Sequence, residues 1–73
     1  MDKYTFINQY DHFYIVRRNF PDVPLKENES QYTILSKSQN RTFNPNELCT
    51  FIEISEEKAI ERALQYARAN GLL

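Results

Sequence analysis

One segment restricts this chain more than any other. Residues 56–70 carry Ala59, Ile60, Ala63, Leu64 and Ala67 at three- and four-residue spacing, which gathers them on one stripe of an α-helix. Ser55 stands at the N-cap, where its hydroxyl can accept from the free N–H groups of the first turn. Glu56 and Glu57 follow at the positive end of the helix dipole, with Arg62 and Arg68 toward the negative end. Asn70-Gly71 supplies the stop. A helix with a single apolar stripe must bury it, so the remainder of the chain has to provide a surface.

That remainder reads as short strands. Residues 12–18 (His-Phe-Tyr-Ile-Val-Arg-Arg) and 31–37 (Gln-Tyr-Thr-Ile-Leu-Ser-Lys) are rich in β-branched and aromatic side chains. Residues 4–7 offer either a first strand, turning at Asn8 to Asp11, or one to two helical turns. Between Asn19 and Ser30, Pro21, Pro24 and three acids mark a loop. Residues 48–54 favour a strand, with Thr50, Ile52 and Ile54 sharing one face. A rival reading makes 45–53 a short helix, with Asn44 as cap, Pro45 at the first position, Glu47 at the third, and Phe43 and Leu48 spaced as a hydrophobic staple.

The rival reading carries a resemblance. Glu47-Leu48, Ile54-Ser55 and Gly71-Leu72-Leu73 resemble the end of a winged helix-turn-helix, over about a third of the chain. The glycine usual before that turn is Glu53 here, and the would-be recognition helix opens with Glu56 and Glu57, which would repel phosphates.

The strand readings together give an α+β fold. It is a small antiparallel sheet of three to four strands, with the C-terminal helix packed on one face. The helix stripe is expected to meet Ile52, Ile54, Ile34 and either Phe13 or Ile15. At 73 residues the chain is expected to form one domain, residues 1–73, burying about 60% of its unfolded surface. A sheet this small leaves an uncovered face and an edge, which invite a partner or a homodimer.

Chemistry is sparse. The single His12 follows Asp11, and neighbours on a strand point to opposite faces, so they form no dyad. The single Cys49 allows no internal disulfide and fits a cytoplasmic setting. One His and one Cys do not make a tetrahedral metal site, and one glycine does not make a phosphate loop. No catalytic residue, metal or cofactor is expected, and no apolar run approaches membrane-spanning length.

Aromatic residues concentrate near the N-terminus: Tyr4, Phe6, Tyr10, Phe13, Tyr14 and Phe20, with Arg17 and Arg18 among them. Tyr and Arg are typical interface anchors. The expected partner-binding residues are Tyr10, Tyr14, Arg17, Arg18 and Phe20, with Phe51, Glu53 and Glu57 available to a basic partner. The functional expectation is a non-enzymatic interaction or regulatory module that binds a larger protein, as an inhibitor of the phage type or an adaptor would. The alternative is a small nucleic-acid-binding domain, although nine Lys and Arg against ten Asp and Glu lack the usual basic footprint.

Overall fold

The computed structural model describes residues 2–37 and 47–73. In chain order these form β1 (Tyr4–Gln9), β2 (Phe13–Arg18), β3 (Ser30–Ser36), β4 (Glu47–Glu53) and α1 (Glu56–Ala69). The four strands make one antiparallel sheet in the order β1-β2-β3-β4. The fold is the α+β arrangement expected from the residues, with four strands rather than three. The first turn falls later than Asn8 to Asp11, because Asn8 and Gln9 still pair with Ile15 and Tyr14. Asp11 and His12 make the turn instead, closed by Tyr10 N–H donating to the Phe13 carbonyl at 2.9 Å.

Residues 47–53 are a strand. Tyr32 faces Phe51 and Ile34 faces Cys49 across the ladder, and the Tyr32 and Phe51 rings stack with centroids 6.1 Å apart. Cross-strand aromatic pairs of this kind stabilise a sheet. The helical reading of 45–53 is therefore overturned, and with it the helix-turn-helix resemblance. Asn44, Pro45 and Asn46, its supposed start, lie outside the described residues.

The helix begins and ends as its residues dictate. Ser55 Oγ accepts from Lys58 N–H at 3.2 Å. At the other end Gly71 takes φ +70°, a conformation that costs a residue with a Cβ. Gly71 N–H then reaches the Arg68 carbonyl, and Leu72 N–H reaches that of Ala67, the paired bonds of a Schellman cap. Leu72 follows that cap back onto the core.

Small residues on the helix meet large ones on the sheet. Ala59, Ala63 and Ala67 are fully buried against Phe13, Ile15, Tyr32, Ile34 and Phe51. The methyl groups let the helix axis approach the sheet, and the rings fill the space between. Arg62 ties the helix to β4: its guanidinium stacks 5.0 Å from the Phe51 ring centroid and donates to the Ile52 carbonyl and to Glu53.

Two expected core contacts are corrected here. Ile52 pairs with Gln31 and faces away from the helix, and Ile54 is 58% exposed beside the N-cap. Phe51 and Cys49 hold the inward positions instead. Apolar parity alone could not choose between the two faces of this strand, since both are largely apolar. The Tyr32–Phe51 pairing settles it.

Both edge strands carry a β-bulge. Phe6 pairs with Val16 and Asn8 with Ile15, so Ile7 is the extra residue of β1. Cys49 pairs with Ile34 and Glu47 with Leu35, so Leu48 is the extra residue of β4. Ile7 and Leu48 both pack against the helix-side core. At each bulge two consecutive residues share the helix side, Ile7 with Asn8 and Leu48 with Cys49, so parity reverses along the strand.

Candidate interaction surface

The sheet face away from α1 has its own small core of Tyr4, Val16 and Leu35, with Tyr14 packed beside it. Val16 and Thr33 are 0% exposed there, although no described helix or strand lies over them. A roof of polar side chains accompanies that burial. The Tyr4 hydroxyl donates to Glu47 Oε2, and Arg18 Nε lies 3.3 Å from the same oxygen. Arg18 Nη1 donates to Gln31 Oε1 at 2.7 Å and pairs with Asp22 at 3.2 Å. Gln31 Nε2 donates to Asp22 Oδ1 at 2.9 Å. The Thr50 hydroxyl lies 3.2 Å from Glu47 Oε1 and 3.0 Å from Thr33 Oγ1, which itself donates to the Cys49 carbonyl. Residues from all four strands thus share one network.

The network shows in its protonation chemistry. Burial, reinforced by the hydrogen bond to the negative Glu47, pushes the Tyr4 phenol up to about 12. The Gln31 amide, aided by the nearby Arg18 charge, holds the Asp22 carboxyl below its ordinary range. Arg18 Nε is close enough to Glu47 for an ion pair, but it is off the hydrogen-bond direction and makes no hydrogen bond.

Beside this network an aromatic strip runs along β1 and β2. Lys3 Nζ sits 5.4 Å from the Tyr4 ring centroid. Tyr4 and Phe6 share a face at period two. The Phe6 ring meets Tyr14 edge-on at 5.0 Å, and Lys37 Nζ lies 4.8 Å from the Tyr14 centroid. Lysines therefore bracket a row of three rings. Phe6, in the middle, is 59% exposed.

The expected binding residues do not form one surface. Tyr14 lies in the strip. Arg18 shares that face, but it is committed to the network with 11% of its side chain exposed. Arg17 pairs with Thr5 and Tyr32, on the helix side of the sheet. Tyr10 stacks on Phe13 at 4.7 Å and packs against the helix-side core. Phe51 is a core residue, and Glu53 is paired to Arg62 at 3.1 Å. Phe20 is half exposed in the loop that leaves the sheet beside Lys3, where Asn19 N–H donates to the Lys3 carbonyl. Glu57 is exposed in the first helical turn, far along the chain from the strip.

Phe6, Lys3 and Lys37 were not among the expected binding residues. Period two from Tyr4 places Phe6 on the face of Tyr4, a signal present in the residues. The position of Lys37 over Tyr14 depends on the β2–β3 register and has no local signal.

Among the described residues no cluster of His, Cys, Asp and Glu could hold a metal ion, and no helix is long and apolar enough to cross a membrane. No protein-family model matches the chain, and no curated protein or solved structure is significantly similar to it.

Proposed function

We propose that the protein is a non-enzymatic module that acts by binding a larger protein, as an inhibitor or adaptor, through the strip of Lys3, Tyr4, Phe6, Tyr14 and Lys37. The exposure of Phe6, at 59% and in ring contact with Tyr14, carries this reading. Scattered exposed apolar residues are ordinary. This one is held on a strand in ring contact with Tyr14, on the face that also carries Tyr4, with Lys37 and Lys3 over those two tyrosine rings. Rigid aromatic anchors with a polar rim are what protein interfaces use. The free Cys49 thiol supports a cytoplasmic setting.

Aromatic rings beside lysines also suit stacking of single-stranded bases. Arg18, the strongest phosphate ligand near the strip, is engaged by Glu47 and Asp22, which weighs against that use. A tagged pull-down from lysate, with and without nuclease, separates the two readings. The expected outcome is a discrete protein band that survives nuclease and disappears with Phe6→Ala combined with Tyr14→Ala. Bound material that vanishes with nuclease would make the chain a nucleic-acid binder.

A further inference from the structure

We infer, resting on the interaction reading above, that the strip receives an acidic folded surface through side chains, and neither an added strand nor a nucleic-acid strand. Two independent features of the sheet lead there.

The first is the state of its edges. Among the described residues, the strands with an outward ladder in the order β1-β2-β3-β4 are β1 and β4. Strand addition needs a regular run of outward N–H and C=O groups. The bulge at Ile7 interrupts that run in the middle of β1, and the bulge at Leu48 interrupts it at the start of β4. Bulges on edge strands are a recurrent way of discouraging edge pairing. A partner at β1 therefore meets the side chains on its face rather than its backbone.

The second is the balance of charge on that face. Arg18, Glu47 and Asp22 neutralise one another within the network. Lys3 and Lys37 lie over tyrosine rings and form no ion pair among the described residues. The unmatched charge of the strip is positive at both ends, with the apolar Phe6 ring between. Complementarity calls for carboxylates flanking an apolar recess. Two free cations are few for a nucleic acid, where two neutralised phosphates would give a log–log salt slope of only about −1.4 on a single strand.

The test uses the full chain labelled with nitrogen-15 and three probes. They are an amphipathic helical peptide of Glu and Leu, a strand-forming peptide of Thr and Val, and oligothymidine. The Glu–Leu peptide is expected to shift the amides of Phe6, Tyr14 and Lys37, with affinity falling about tenfold in Lys37→Glu. The other two probes are expected to leave those amides in place. Slowed exchange of the β1 edge amides with the Thr–Val peptide would overturn the inference in favour of strand addition. Oligothymidine binding with a slope steeper than about −3 would overturn it in favour of nucleic acid. So would Glu–Leu peptide binding that Lys37→Glu leaves unchanged, or no binding of that peptide at all. If the pull-down yields a Phe6-dependent protein while the Glu–Leu peptide fails, the interaction reading stands and only the acidic chemistry falls. Peptide binding at the strip with no protein captured contradicts the interaction reading alone.

Discussion

The two faces of this sheet are buried by different means. On the helix side, three alanine methyls close over Phe13, Ile15, Tyr32, Ile34 and Phe51, a contact of apolar atoms with little directional demand. On the other side, Val16, Thr33 and Leu35 are buried on a face where Tyr4, Arg18, Gln31 and Glu47 hold one another by their polar ends. The apolar face tolerates exchange of similar shapes. The polar-roofed face depends on every partner being present, since a lost one leaves a desolvated group behind. The second face also has an exposed ring to offer. Its burial is complete over Val16 and Thr33 and stops short of Phe6.

The contrast can be broken most severely on the helix side. Phe13→Ala is expected to cost about 3–5 kcal/mol, the usual loss for a buried phenylalanine. A small domain holds roughly 5–15 kcal/mol in all, so the urea midpoint should fall by a large fraction. A midpoint near that of the wild type would mean that the helix-side core is not the main source of stability.

The network is expected to respond less, and cooperatively. Arg18→Met leaves Glu47 and Asp22 without their cation, and should cost about 1–3 kcal/mol because Glu47 keeps 24% of its side chain in water. Combining Arg18→Met with Glu47→Met should cost less than the sum of the two single changes, since the charge that Arg18→Met strands at Glu47 is then gone. Strictly additive losses in the double-mutant cycle would show that the two side chains are not coupled.

Alkaline titration sharpens the same point. Tyr4 holds its proton more tightly when folded, so its contribution is fully present below pH 10 and is lost as the pH rises from about 10 to about 12. The loss should reach at most about 3 kcal/mol, and Tyr4→Phe should remove that part of the pH dependence. An unchanged alkaline profile in Tyr4→Phe would contradict the burial of the phenol. Asp22 acts with the opposite sign. Its lowered carboxyl stabilises the fold above the ordinary carboxylate range and stops doing so as the pH falls through its folded value.

The smallest effect on stability is expected at Phe6. Its ring is mostly in water, so Phe6→Ala should change the urea midpoint by less than about 0.5 kcal/mol equivalent. A loss above about 2 kcal/mol would make Phe6 a core residue and remove the distinction between roof and strip.

Much of the fold is legible locally. The helix from Glu56, its Ser55 cap and its Gly71 stop follow from residues in direct succession, because helix bonds and caps are short-range. The strands of β2 and β3 are equally visible in runs such as Phe-Tyr-Ile-Val and Tyr-Thr-Ile-Leu. What local pattern does not carry is the choice of face. Residues 48–54 alternate between two apolar sets, and β-branching favours Ile52 and Ile54 as the inward one where the ladder makes it Cys49 and Phe51. The bulges at Ile7 and Leu48 break parity at one residue each, with no glycine or proline to mark them. The network is less legible still, because Tyr4 and Glu47 meet across 43 residues of chain. Arg18 is a free anchor by local pattern and an internal one in the fold, and Arg17 and Tyr14, both expected to bind a partner, lie on opposite faces.

The proposal that matters most is that the strip around Phe6 serves recognition while adding little to the stability of the sheet. Retention of the partner band by Phe6→Ala, in nuclease-treated lysate at a temperature where both proteins are folded, tests it most directly. The expected result is a wild-type melting curve with the band lost. Full retention of the band by a folded Phe6→Ala protein would contradict it.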